Sequence, residues 1–123
     1  AYAKGRARSL LRKGKAIRVI AADLNARGIA SHMIDDTITD LRQEADQAAY
    51  EDVRGTDPNL AAAAAYARRR RLGPFRRPDQ RDEKRDKDLA ALARQGFGYD
   101  TATRIIDSDL DHLNDLLSMI DGI

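Results

Sequence analysis

Hydrophobic positions recur every three or four residues along most of the chain, a spacing that predicts helices. The first predicted helix spans residues 2–13, and its apolar face consists of Ala3, Ala7, Leu10 and Leu11. The same spacing predicts helices at 16–26 and from residue 31 onward. Gly14 and Gly28 follow the first two helices, in the position where glycine commonly ends a helix. These 43 residues therefore predict a three-helix unit with short turns.

The second half of the chain begins with a helix rich in alanine. Residues 61–67 read AAAAAYA, and alanine has the highest intrinsic helix propensity. Asp57 and Pro58 precede this run as a predicted N-cap and a first-turn proline. Four arginines follow at 68–71, and we expect the helix to continue to Leu72 and to stop at Gly73-Pro74.

The order of helices and turns predicts an internal repeat. We interpret the chain as all-α, with tandem three-helix repeats in an elongated, curved arrangement. The first repeat would span 1–43 and the second 58–107, joined by an acidic linker or helix extension at 44–57. In this comparison Gly14 corresponds to Gly73, and Gly28 to Gly96, which leaves nine extra residues in the second repeat, near the charged stretch 79–87.

The last segment, 108–123, predicts an amphipathic helix whose leucine stripe faces away from its aspartates. Two interpretations are open. The stripe packs back onto the second repeat, or it pairs with a partner protein.

Charge alternates in blocks along the chain, although the formal net charge is only +2. Residues 4–18 contain seven basic and no acidic side chains, and residues 68–87 contain ten basic and four acidic ones. Acidic residues dominate 31–52 and 107–123. Such blocks indicate a surface that meets a charged partner.

Composition excludes several classes of function. The chain has no cysteine, so disulfides and thiolate metal sites are excluded and a cytoplasmic location is expected. Its longest apolar run, Leu60–Ala67, is far shorter than the roughly 20 residues that span a bilayer. His32 and His112 lack metal-ligand spacing, and the chain contains no phosphate-binding loop. We therefore expect no enzyme activity, no cofactor and no metal.

Two long stretches resemble a known family. The run YARRRRLGPF at 66–75, together with KDLAALARQGFGYDTATRII at 87–106, resembles the C-terminal part of bacterial RecX regulatory proteins. Upstream, RARSLLRKG at 6–14 and LNARGI at 24–29 resemble the preceding repeat of the same family. The resemblance covers nearly the whole chain except the acidic linker and the last dozen or so residues.

This resemblance implies tandem three-helix repeats and a non-enzymatic role. RecX proteins bind the RecA recombinase along the groove of its filament on DNA and inhibit strand exchange and ATP hydrolysis. The family usually has three repeats, and this chain shows two. Because the chain also begins without methionine, we expect it to be part of a longer protein.

A basic stripe on such repeats would attract the phosphates and acidic protein surface of a filament. The expected partners are the RecA filament and single- or double-stranded DNA, with no membrane, and the protein is expected to be monomeric. The residues expected to bind RecA or DNA are Arg6, Arg8, Arg12, Lys13, Lys15, Arg18, Arg68, Arg69, Arg70, Arg71, Arg76 and Arg77. Tyr66 and Phe75 border apolar helix faces and are interpreted as core residues rather than as platforms for stacked bases.

Two other functions are open on the sequence alone. A general helical DNA-binding protein needs only the basic helices, and it would bind naked DNA as tightly as a filament. A small enzyme would need a buried cluster of carboxylates, which the amphipathic patterns do not predict.

Overall fold

The computed structural model describes the backbone of residues 2–52 and 57–121 and the side chains of 2–44 and 57–118. All secondary structure in these ranges is helical, which confirms the all-α prediction. A short 3-10 helix spans Gly73–Phe75. The α-helices are α1 Tyr2–Arg12, α2 Ile17–Ala26, α3 Ser31–Asp52, α4 Pro58–Arg70, α5 Pro78–Arg81, α6 Arg85–Arg94, α7 Tyr99–Ile106 and α8 Leu110–Asp121.

The helix α4 lies at the centre of the molecule. It packs against α1 and α3 of the first half of the chain and against α6, α7 and α8 of the second. Every residue from Leu60 to Ala67 is buried, because the methyl side chains of the alanines let neighbouring helices approach from all directions. The run that the sequence identifies as a strong helix former is therefore also the middle of the core.

The first three helices pack mutually, as expected for a three-helix unit. Helix α3 continues to Asp52, so residues 44–52 form a helix extension rather than a separate linker, and residues 53–56 lie outside the described part of the chain. The division of the chain into repeats at 1–43 and 58–107 stays a prediction.

The C-terminal helix packs back onto the rest of the molecule. This is the first of the two interpretations that the sequence leaves open for residues 108–123. Leu113, Leu116 and Leu117 of α8 are buried. Helix α8 contacts α4 extensively and also reaches α1. It therefore joins the two halves of the chain in one core.

Helix α4 begins as predicted but ends earlier than expected. The side chain of Asp57 accepts a hydrogen bond from the amide of Asn59 at 2.9 Å, and Pro58 is the first helical residue. The last helical residue is Arg70, and Arg71 follows in the left-handed conformation with φ 56°. The prediction that the helix continues to Leu72 is wrong by two residues. The chain leaves the helix after Arg70 because Leu72 turns into the core, where it is buried.

Four helix ends share one hydrogen-bond pattern, in which the residue after a left-handed turn position donates to the carbonyl five residues earlier. These bonds run from Lys15 to Leu10, from Ile29 to Leu24, from Phe97 to Leu92 and from Leu72 to Ala67. The left-handed residue is Gly14, Gly28 or Gly96 in the first three turns and Arg71 in the fourth. The structural counterpart of Gly14 is therefore Arg71 and not Gly73, which corrects the correspondence inferred from the sequence.

Gly14 allows the turn after α1 to pack directly on α4. A Cβ atom at this position would lie 2.8 Å from the Cβ of Tyr66 and 2.9 Å from its amide nitrogen. We expect Gly14→Ala to lower the free energy of unfolding by about 2 to 3 kcal/mol, from the left-handed backbone plus the clash. Gly28→Ala is the matched control, because Gly28 has φ 83° and open space around it; its expected loss is about 1 kcal/mol.

Urea denaturation of both variants measures the difference. Equal losses at the two positions would show that the close approach of Gly14 to α4 contributes nothing to stability.

Candidate functional site

The turn between α1 and α2 lies against the arginine-rich end of α4. Gly14 packs on Tyr66, and the guanidinium of Arg69 donates a hydrogen bond to the carbonyl oxygen of Lys13. These contacts bring together two basic segments that are more than 50 residues apart in the sequence. The predicted cations of the two halves therefore meet on one part of the surface.

A third turn, between α6 and α7, completes this arrangement. The Nζ atom of Lys15 donates to Oε1 of Gln95 at 3.3 Å. Gly96 lies directly against Val19, where a Cβ would approach the valine methyl to 2.6 Å. The turn after α1 is thus held between the end of α4 and the turn after α6.

We call the basic surface around these three turns the basic junction. It includes Arg94, the exposed last residue of α6, which sequence reasoning did not select as a site residue. The available signal was its place two residues before a glycine at the end of a helix, as with Arg12. The members of the basic junction are Arg12, Lys13, Lys15, Arg18, Arg68, Arg69, Arg70, Arg71 and Arg94.

Several cations of the basic junction face solvent without a counter-ion. Within the described residues, Arg12, Arg18 and Arg71 are exposed and take part in no ion pair or side-chain hydrogen bond. Unpaired guanidinium groups retain their full capacity for bidentate hydrogen bonds to phosphate or carboxylate. The junction is therefore suited to binding an extended polyanion.

The two candidate aromatic residues belong to the interior. Tyr66 is buried, and the guanidinium carbon of Arg70 lies 6.0 Å from the centre of its ring, within the range of a cation–π interaction. Phe75 is half-buried against the core. This agrees with their interpretation as core residues.

Arg76 lies outside the basic junction, in an internal ion pair with Asp88. The two guanidinium nitrogens donate to the carboxylate at 2.8 and 2.7 Å. The amide of Gly73 also donates to this carboxylate, at 2.8 Å, and Asp88 is fully buried. Hydrogen bonding to Asp88 raises the pKa of Arg76 above its ordinary value. This pair fixes the corner after α4 to α6, so we leave Arg76 out of the candidate interface.

Three more of the predicted site residues form ion pairs with carboxylates of the same chain. Arg6 donates to Asp23 at 3.1 and 3.2 Å and thereby ties α1 to α2. Arg8 pairs with Glu44 and ties α1 to α3. Arg77 pairs with Asp79 at 3.2 Å, on an exposed surface. The structure thus divides the twelve predicted cations into eight of the junction and four engaged in ion pairs elsewhere.

The extra charged residues of the second half hold the corner between α7 and α8. Arg81 donates to the carbonyl oxygens of Ile106 and Ser108 at this corner. Arg85 binds Asp107 through two bonds of 2.8 Å. Sequence reasoning assigned no role to this stretch, because its partners lie more than 20 residues away.

Because three carboxylates form ion pairs in the folded protein, we expect its stability to change with pH in the acid range. Arg6, Arg8 and Arg85 hold the pKa values of Asp23, Glu44 and Asp107 below their ordinary values, chiefly through hydrogen bonds. The folded protein therefore binds fewer protons than the unfolded chain near pH 4. We expect the free energy of unfolding to be constant above the ordinary carboxyl pKa of about 4 to 5 and to fall as the pH decreases through the lowered values.

Urea denaturation from about pH 2.5 to about pH 7 measures this dependence. Asp107→Asn should make the acid-induced loss smaller, whereas the control Asp111→Asn removes a carboxylate outside these pairs. An identical acid profile in both variants would contradict the assignment.

Two particular kinds of site are absent from the described residues. No three histidine, aspartate or glutamate side chains among them converge on a position that could hold a metal ion. None of the described helices combines the length and apolar character required to cross a membrane.

Comparison with known proteins identifies the family. Residues 1–38 match the second three-helix domain of RecX, a range that covers α1, α2 and the start of α3. The chain is 40% identical over 110 residues to the regulatory protein RecX of Myxococcus xanthus, an alignment that covers 89% of this chain and 52% of that protein. The chain belongs to the RecX family. It is also 30% identical over 118 residues to RecX of Agrobacterium fabrum, covering 96% of this chain and 55% of that protein.

The chain spans about half the length of these two RecX relatives. Both relatives are named regulatory proteins. No solved structure matches the chain significantly.

Proposed function

We propose that this RecX-family chain is a non-enzymatic, cytoplasmic regulator that binds RecA filaments on DNA as a monomer and inhibits recombination and ATP hydrolysis by RecA. The observation that carries the proposal is the basic junction, where three turns from both halves of the chain bring basic side chains together. Arg12, Arg18 and Arg71 of this surface are exposed and have no partner among the described residues. Family membership supplies the partner, since RecX proteins act on RecA.

The junction is suited to a filament because it is broad and fixed in shape. The contacts of Gly14 with Tyr66 and of Gly96 with Val19 hold the three turns in place, so the backbone that carries these cations needs little ordering on binding. Cations spread over several turns can meet several phosphates of one strand at once. Acidic surface of the recombinase beside the DNA would add to this attraction.

Binding measurements on filament and naked DNA test this function. Labelled protein is titrated with RecA assembled on single-stranded DNA with a non-hydrolysable nucleotide, and with the same DNA alone, at two salt concentrations. We expect much tighter binding to the filament and a decrease in ATP hydrolysis by RecA on addition of the protein.

The second candidate function, a general helical DNA-binding protein, makes the opposite prediction. Its basis is the set of unpaired arginines, which attract any polyanion. Equal and strongly salt-sensitive binding to filament and naked DNA would favour it and would contradict regulation of the assembly.

A further inference from the structure

Arg71 occupies a turn position that the same chain fills with glycine elsewhere. Its φ of 56° is the one positive φ of a non-glycine residue in the described part of the chain. The three other helix ends with the same hydrogen bonds have Gly14, Gly28 and Gly96 at this position. A residue with a Cβ atom pays a steric penalty there, of roughly fivefold or more in the folding equilibrium.

The backbone around Arg71 cannot relax to relieve this strain. The next residue, Leu72, is buried in the core, and its amide donates to the carbonyl of Ala67 at 2.9 Å. The amide of Gly73 is then held by the buried carboxylate of Asp88. The residues after the turn therefore fix the conformation of Arg71.

The side chain of Arg71 does not compensate for the strain within the described chain. Its neighbours in the arginine run are engaged: Arg69 bonds the carbonyl of Lys13, Arg70 lies over Tyr66, and Arg68 also interacts within the chain. Arg71 is exposed and has no such partner among the described residues. A strained backbone that carries an unpaired cation into solvent points to a role in binding.

We propose that Arg71 directly contacts a phosphate of the nucleic-acid backbone, and that this contact accounts for an arginine where the other three turns have glycine. The inference rests on the proposed function and assigns one ligand group to one residue of the basic junction. A guanidinium fork fits a phosphate through two hydrogen bonds. The phosphate backbone is favoured over a single carboxylate, since several unpaired cations lie around this turn and a strand supplies a row of anions.

Three variants separate the contact from the strain. Arg71→Gly removes both, and Arg71→Lys keeps the charge and the left-handed backbone but loses the fork. Gly28→Arg is the matched control. It places an arginine in the same kind of turn, with open space around it, outside the basic junction. Urea denaturation gives the folding equilibrium, and fluorescence anisotropy with a labelled oligothymidylate at low salt gives the affinity.

We expect Arg71→Gly to raise the folding equilibrium constant about fivefold and to weaken oligonucleotide binding about tenfold. Arg71→Lys should leave stability near that of the original chain and should weaken binding less. Gly28→Arg should lower the folding equilibrium constant about fivefold without weakening binding.

Unchanged oligonucleotide binding by Arg71→Gly would overturn the inference. The same holds if this variant loses affinity for the filament alone, since the contact would then be with protein. If the oligonucleotide effect is present but the original chain binds filament and naked DNA equally, the phosphate contact stands and the proposed function fails.

Discussion

Replacing Asp88 by alanine is expected to lower the free energy of unfolding by about 3 to 5 kcal/mol, the usual cost of removing one partner from a buried ion pair. Asp88 is fully buried and accepts three hydrogen bonds, two from Arg76 and one from the amide of Gly73. Its removal leaves the partly buried guanidinium without a counter-ion. It also leaves a buried amide without an acceptor, which adds a desolvation cost.

Urea denaturation at neutral pH measures this loss. The control is Arg77→Ala, at the residue directly after Arg76. It breaks an exposed ion pair between Arg77 and Asp79. This variant should change stability by less than about 0.5 kcal/mol. A loss below about 1 kcal/mol for Asp88→Ala would show that the corner after α4 is held by other contacts.

Removing three cations of the basic junction is expected to weaken filament binding at least about tenfold at low salt. The variant combines Arg12→Ala, Arg18→Ala and Arg71→Ala, three exposed residues without partners in the described chain. If each binds a phosphate of single-stranded DNA, the slope of log affinity against log salt should become shallower by about 2. The fold should persist, because none of the three side chains is buried.

A second triple variant controls for total charge. Arg42→Ala, Lys87→Ala and Arg104→Ala remove three exposed cations from α3, α6 and α7. This control should retain most of the affinity. Equal losses in the two triple variants would mean that net charge, rather than the basic junction, determines binding.

Local sequence signals predicted the elements of the fold well. The alanine run and the Asp57-Pro58 start identified α4, and the glycines at 14, 28 and 96 identified three helix ends. The fourth end was misplaced, because Gly73 looks like the better terminator. Leu72 is buried, and the amide of Gly73 donates a hydrogen bond to Asp88. These two interactions outweigh the preference for glycine at the left-handed position, so Arg71 occupies it.

The candidate site depended on contacts that local patterns do not encode. A basic run looks the same whether its arginines are solvated or paired. Arg76, unlike Arg71, is paired because a carboxylate 12 residues away in the sequence lies beside it in the fold. The meeting of three turns depends on how Gly14 and Gly96 pack on distant helices. Arg94 was overlooked for the same reason, since only packing places its turn beside Lys15.

The most direct test of the central claim is lysine acetylation footprinting of the protein, free and bound to RecA on single-stranded DNA. Lys13 and Lys15 belong to the basic junction, whereas Lys4 pairs with Glu44 on α3 and Lys87 lies near the start of α6. We expect bound filament to slow acetylation of Lys13 and Lys15 and to leave Lys4 and Lys87 unchanged. Protection of Lys4 or Lys87 with Lys13 and Lys15 still reactive would place the interface elsewhere and contradict the account.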